Sequence, residues 1–259
     1  MGWFDAGVNL LDKRFDPVAI VENAIAAGVT KMCVITTLPD EWEPASELAK
    51  AYPDNLVFTV GIHPHHAKSA KPDDFTELAE FLKHPQAVAV GECGLDFNRN
   101  FSPQDVQCHV FEKQLQIALE VNKPVYLHER DAFEQQISIL AQYADRLKGG
   151  VAHCFTGSKD QLEAYLNMGL YIGITGWLCD DKRNQSLVEA VKFLPQDRFL
   201  LETDAPYLFP KNRRPRVRNN EPAFLPCIAD KLSEVLNITS ESLRRKSYAN
   251  TCKLFGLID

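Results

Sequence analysis

No window of the 259-residue chain approaches 18 unbroken apolar residues, so nothing in it reads as a membrane-spanning helix. The N-terminus also lacks a basic segment followed by an apolar one, which leaves the cytoplasm as the expected location. It opens Met1-Gly2, as a myristoylation signal does, but Ala6 stands where serine or threonine would be needed. Cysteine lacks a paired pattern: the seven residues are odd in number and contain no C-x-x-C, which argues against a disulfide framework or a zinc knuckle. They read as reduced, mostly buried thiols. Cys93 and Cys154 each follow a candidate ligand by one residue, so strand alternation should turn them toward the core. Positive charge is not in excess either. The formal net charge of −7 argues against a broad basic face for nucleic acid, though not against a local one.

What is present is an alternation of short apolar, β-rich runs with helical stretches. The runs are WFDAGVN (3–9), KMCVITT (31–37), LVFTVGI (56–62), AVAVGECG (87–94), PVYLHER (124–130), GGVAHCF (149–155), LYIGITG (170–176) and RFLLETD (198–204). Between them lie segments of helical spacing such as PVAIVENAIAAG and PQDVQCHVFEKQLQIALEVN, several closing on glycine or asparagine. The runs are nearly continuous in apolar residues, as parallel strands covered on both sides should be. Eight strand–helix units predict an α/β fold, a TIM (β/α)8 barrel, in a single domain over 1–259. No G-x-G-x-x-G loop follows the first run, which disfavours an open dinucleotide-binding sheet. Two further helical stretches fill Pro222 to Leu257.

In such a barrel the active site forms at the C-terminal ends of the strands, and here those ends are polar. The third run ends in His63, His65 and His66, the fourth in Glu92 and Asp96, the fifth in His128, Glu129, Arg130 and Asp131, the sixth in His153 and the eighth in Glu202 and Asp204. A charged or imidazole group within an apolar strand costs free energy unless it is paired or bound to metal. Glu92, His128 and His153 end three successive strands and Asp204 ends the last, so closure of the barrel can bring all four to one divalent cation. Glu129 and Glu202 sit one residue from candidate ligands and read as structural. The segment KNRRPRVR, Lys211 to Arg218, places five cations in eight residues, either as a solvated loop or as a phosphate clamp using Arg213, Arg214 and Arg216.

These residues sit in blocks that resemble the TatD family of metal-dependent deoxyribonucleases over nearly the whole chain. The blocks are GIHPH (61–65), GECGLDFNRNFS (91–102), HCFTG (153–157), YIGITGW (171–177), LETDAPYL (201–208) and RNNEPAFLP (218–226). The resemblance implies a TIM-barrel hydrolase with Glu92, His128, His153 and Asp204 at the metal and catalytic positions. The bacterial branch, to which GECGLDFNRNFS and GITGWLCDDKR are most similar, implies more narrowly a magnesium-dependent 3′–5′ exonuclease on single-stranded DNA and RNA with a part in DNA repair. Two departures stand out. The wider family carries Asp-x-His-x-His after the first strand, where this chain reads Asp5-Ala6-Gly7-Val8-Asn9, a form the bacterial branch shares. The fifth strand reads HER in place of HCR, which leaves His128 and Arg130 intact.

The expected chemistry is phosphodiester hydrolysis, in which a bound cation acidifies water and polarises a phosphoryl oxygen. Asp204 would complete the metal shell or take a proton, and His63 would contact the scissile phosphate or leaving oxygen. His65, Arg130, Arg213, Arg214 and Arg216 would hold substrate, with Trp177, Tyr207 or Phe97 stacking on a base. Asp5 and the Asn9 carboxamide would offer oxygen at the first strand's edge, favouring one tightly held Mg2+, or Mn2+, over Zn2+. The protein is expected to be a monomer without membrane partners. The alternative keeps barrel and metal but attacks a carbonyl, as an amidohydrolase or an ester hydrolase such as an aminoacyl-tRNA deacylase. A metal-free binding barrel has only the missing first-strand histidines in its favour.

Overall fold

All eight apolar runs form strands in the computed structural model, which describes residues 2–257. The strands are β1 (Trp3–Val8), β2 (Val29–Val34), β3 (Leu56–Val60), β4 (Ala87–Asp96), β5 (Val125–Arg130), β6 (Gly150–Ala152), β7 (Tyr171–Ile174) and β8 (Phe199–Leu201). They make one eight-stranded sheet in the order β1 to β8, the parallel arrangement of a (β/α)8 barrel. The helices are α1 (Pro17–Ala26), α2 (Trp42–Ala51), α3 (Pro72–Phe81), α4 (Gln104–Glu120), α5 (Phe133–Leu140), α6 (Lys159–Asn167), α7 (Gln185–Val191), α8 (Leu225–Leu236) and α9 (Ser240–Phe255). By chain contact the fold divides into two compact units.

The first unit gathers the chain up to Val34, Cys154–Leu166 and everything from Tyr171 onward. Every residue of β1 is buried, and Phe4 packs its ring on Tyr248 and Phe255 of α9, 5.9 and 6.1 Å away. Local sequence starts these helices where the backbone needs it. Asp16 caps α1 by accepting from Val18 N ahead of a proline at the first turn, and Thr239 does the same for α9 through Ser242 N. Asn250 on α9 donates to Phe199 O at 2.9 Å, fixing that helix against β8.

The second unit comprises Ile35–His153 and Asn167–Leu170 and holds β3 to β6. Here α4 reads polar at two positions that should be apolar, Gln107 and Gln114, both fully buried. Each spends its amide on a strand end. Gln114 accepts from Ile62 N (2.8 Å) and donates to Ile62 O (3.0 Å), while Gln107 accepts from Asp96 N (2.8 Å) and donates to Asp96 O (3.0 Å). Gln136 of α5 accepts from Leu95 N at 3.1 Å, and the buried Trp42 of α2 donates to Gly61 O at 3.2 Å. The helices thus hold, by hydrogen bonds that close buried backbone groups, the residues flanking the polar strand ends.

A Gln114→Leu substitution keeps the volume but strands both polar groups of the Ile62 peptide, so unfolding stability should fall by about 2–5 kcal/mol. Urea unfolding followed by circular dichroism measures this, and an unchanged midpoint would contradict it.

Candidate metal centre

The register of β4 on β5 sets the geometry. Gly94 lies opposite His128 and Asp96 opposite Arg130, so alternation puts Glu92 and Asp96 on one face of β4, one on either side of Gly94. A side chain at Gly94, whose φ is +135°, would drive its Cβ to within 2.0 Å of His128 O. Only glycine lets β5 come close enough for His128 to stand between two carboxylates.

His128 donates from Nδ1 to Glu92 Oε1 at 2.8 Å, and its Nε2 is buried without a hydrogen bond, with Asp96 Oδ2 3.5 Å away. His65 Nε2 meets the same Asp96 oxygen at 2.6 Å. His63 accepts from His65 N through Nδ1 (3.1 Å), which leaves Nε2, 3.5 Å from Glu92 Oε1, to carry the ring proton. The three imidazoles meet edge to face, with His63 4.3 Å from His65 and 4.4 Å from His128 between ring centroids. His153 follows β6 and its Nδ1 meets Tyr126 Oη at 2.8 Å.

Burial and charge set opposite protonation states in neighbouring rings. Desolvation and the His128 charge hold His63 down at about 4, so it is neutral near pH 7. Desolvation also opposes charge on His128, but Asp96 and Glu92 outweigh it and lift the ring to about 9. Glu92, although desolvated, is held well below the usual carboxylate range by His63 and His128. Asp96 is lowered likewise, the His128 and His65 contacts and the Arg99 N–H overcoming its burial.

A buried imidazole nitrogen without a hydrogen bond, between two ionised carboxylates, is a poor arrangement by itself and a good one around a cation. Donor atoms of His63, Glu92 and His128 lie within 4.8 Å of one another. The residues fit a divalent metal.

Of the other predicted residues, Asp5, Asn9, Asp204 and the basic segment fall in the first unit, and Arg130 in the second. Asp204, at φ +52°, follows β8 and donates its N–H to Gly7 O at 2.9 Å. Its Oδ1 accepts from Asn9 Nδ2 (3.0 Å), and the same amide donates to Ala205 O (3.2 Å). Both neighbours are acceptors, so the amide must present nitrogen, which corrects the expectation of a carboxamide oxygen here. Asp5 offers no oxygen either. It is fully buried, with Oδ1 accepting from Gly7 N (3.2 Å) and Thr203 N (2.8 Å) and Oδ2 from Thr203 Oγ1 (2.5 Å). This edge ties the turn after β8 to β1. Desolvation, only partly offset by those bonds, raises Asp5 to about 7.

Arg130 ends β5 exposed. Arg213 lies over the Phe224 ring at 3.7 Å, and Arg214 donates to Lys211 O and Arg213 O at 2.7 Å each. Arg216 lines a cavity of about 220 Å3 with Trp177, Phe209, Arg183 and Lys211, the last two bound to Asp180 Oδ2 at 2.6 Å each. Of the proposed stacking rings, Trp177 and Tyr207 carry Arg183 and Arg14, at 4.3 and 4.4 Å. Glu202 accepts from Cys154 N (3.0 Å) and Glu129 from Ala132 N (2.8 Å), both structural as read. Cys93 is buried as expected, but Cys154 is half-buried, its Sγ 3.3 Å from Thr175 Oγ1. β6 stops at Ala152 and Cys154 takes φ +45°, so strand alternation no longer aims it. Among residues the sequence reading did not place at the site are Asp96, for which the i, i+4 spacing from Glu92 was a signal, and Tyr126, for which there was none.

The family described as TatD related DNase matches residues 4–256. A relative from Erwinia tasmaniensis named 3′-5′ ssDNA/RNA exonuclease TatD is 44% identical over 98% of this chain and 100% of its own length. One of the same name from Pantoea ananatis is 44% identical over the same shares, 98% and 100%. The crystal structure of YjjV, a TatD homologue from Escherichia coli, covers 99% of this chain and 98% of its own at 26% identity, with a TM-score of 0.90.

Two outcomes are expected. Asp96→Asn leaves the fold but removes a charge beside His128 Nε2, so Mn2+ affinity by calorimetric titration should fall tenfold to a hundredfold, whereas an unchanged affinity places the cation elsewhere. For Asp5 the folded pKa lies above the unfolded one, so its stabilising share is complete below pH 3.8 and is lost as pH rises through about 7. Wild type should therefore lose up to about 4 kcal/mol relative to Asp5→Asn between pH 4 and pH 7. Parallel denaturation profiles for the two proteins would contradict this.

Proposed function

The chain belongs to the TatD-related DNase family, and on that premise we propose that it is a divalent-metal-dependent exonuclease removing nucleotides from the 3′ end of single-stranded DNA and RNA. The observation that carries the reading is the buried Nε2 of His128, which makes no hydrogen bond and lies beside Glu92 and Asp96. Glu92, His128, His153 and Asp204 are the residues proposed to hold the metal, with Mg2+ or Mn2+ in place of Zn2+, since the first strand's edge brings no imidazole. A cation there supplies Lewis-acid polarisation of the phosphoryl oxygen and acidified water.

The chain's own residues do the rest. Glu92 fixes the His128 ring through Nδ1, which would leave Nε2 as the atom to hold the cation. His63, neutral and with its proton on Nε2, is proposed to donate to the scissile phosphate or the departing oxygen. Asp204, oriented by the Asn9 amide, is proposed to take the proton from the attacking water. His65, Arg130 and the basic loop from Arg213 to Arg216 are proposed to hold the phosphates. The five cations of Lys211 to Arg218 favour a phosphodiester over a small neutral amide, and exonucleolytic entry by one end needs only a short basic path on an acidic protein. Among the described residues no helix is long and apolar enough to cross a membrane. A cytoplasmic monomer acting in DNA repair is the setting proposed for this activity.

A 3′-blocked and a free oligonucleotide, each 5′-labelled, separate the outcomes. Wild type with Mg2+ should shorten the free strand stepwise to 5′-labelled products, EDTA should abolish this, and His128→Ala should slow it at least a hundredfold. Activity surviving both changes would overturn the metal site. Absence of metal-dependent shortening would overturn the exonuclease.

A further inference from the structure

The loop that follows β4, Phe97 to Ser102, carries an exposed aromatic whose surroundings distinguish it. Phe101 is 54% exposed. A lone exposed aromatic is ordinary on a protein surface. This one meets the His65 ring edge to face at 4.7 Å, and His65 binds the Asp96 carboxylate that flanks His128. The exposed ring is therefore one side chain away from the candidate catalytic cluster.

The loop is fixed along its length. Asp96 Oδ1 accepts from Asn98 N (3.0 Å) and Arg99 N (2.8 Å), and Asn100 Nδ2 donates to Phe97 O (2.6 Å). Ser102 Oγ donates to His65 O (3.1 Å) and accepts from Lys68 N (3.0 Å), while Gln107 Nε2 donates to Ser102 O (2.8 Å). A ring fixed in this way gives up little freedom when something stacks on it. Two residues away, Arg99 is exposed, and among the described residues its guanidinium makes no hydrogen bond or ion pair. By contrast Trp177 and Tyr207, two of the three aromatics considered for stacking, each carry an arginine, and the third, Phe97, is half-buried.

We propose that Phe101 is the platform on which the unpaired base of the terminal nucleotide stacks, with Arg99 holding the adjoining phosphate. The ligand class is a single-stranded nucleic-acid end with at least one free base. Stacking accepts any base because every base has a π face, and a paired terminal base cannot take the platform without leaving its helix. The site would select single strands without reading sequence. This inference rests on the exonuclease reading, from which its test is separable because it measures binding.

Fluorescence anisotropy with nuclease-resistant phosphorothioate oligonucleotides in Mg2+ compares a strand ending in a normal nucleotide with one ending in an abasic residue. Wild type should bind the base-bearing end about five- to a hundredfold more tightly. Phe101→Ala should bind both at the abasic level, Phe101→Trp should restore the preference, and Arg99→Ala should weaken both strands alike. The proposal is overturned if wild type does not distinguish the two ends, if Phe101→Ala keeps the preference, or if Phe101→Ala loses affinity for both strands equally, as it would were the ring only a cover for His65. Failure of mononucleotide release in Mg2+ would count against the exonuclease and not against this preference.

Discussion

The approach of β5 to β4 at Gly94 is the constraint on which the rest of the site depends. It brings His128 against a residue without a side chain, and alternation along β4 then sets Glu92 and Asp96 on either side of the imidazole. Any larger residue at Gly94 would push the strands apart and separate all three groups. The buried glutamines on α4 and α5 fix the same region from outside, holding Ile62, Leu95 and Asp96 by their backbones. Packing that would otherwise be purely apolar is exchanged for hydrogen bonds at the strand ends that carry chemistry.

Placing ionised carboxylates at under a tenth exposure is costly unless positive charge answers them. His128 answers in part, which is why it is held protonated far above the ordinary imidazole range. Its Nε2 nevertheless finds no hydrogen bond, and His63 beside it is kept neutral. Such a half-satisfied network is typical of a functional site and unusual in a core that exists only for stability. A cation that displaces the His128 proton would satisfy both carboxylates and the free nitrogen together.

Much of this could be read from the sequence. The eight apolar runs became eight strands because continuous burial on both faces leaves a signature that turns and helices do not share. Glu92 and His128, whose side chains the structure brings together with His63, stood out because titratable groups at apolar strand ends are costly and therefore conspicuous. The roles of Asp5 and Asn9 were not legible: both are short polar residues that serve equally as ligands or as backbone bolts, and only their neighbours, the Thr203 donors to Asp5 and the Asp204 and Ala205 acceptors of the Asn9 amide, decide between the two. Cys154 escaped for a similar reason, since its placement depends on where β6 ends. Gln107 and Gln114 carry no sequence sign of which peptide they close, because that pairing is made across more than ten residues in one case and fifty in the other.

The central claim is that the His128 nitrogen that makes no hydrogen bond and the carboxylates around it form a cation site. It is tested most directly by anomalous scattering from crystals grown with Mn2+ at neutral pH. The account predicts one strong anomalous peak in bonding contact with His128 Nε2 and a carboxylate oxygen, with any second peak much weaker. A map with no peak there, or with two fully occupied sites of equal strength, would contradict it.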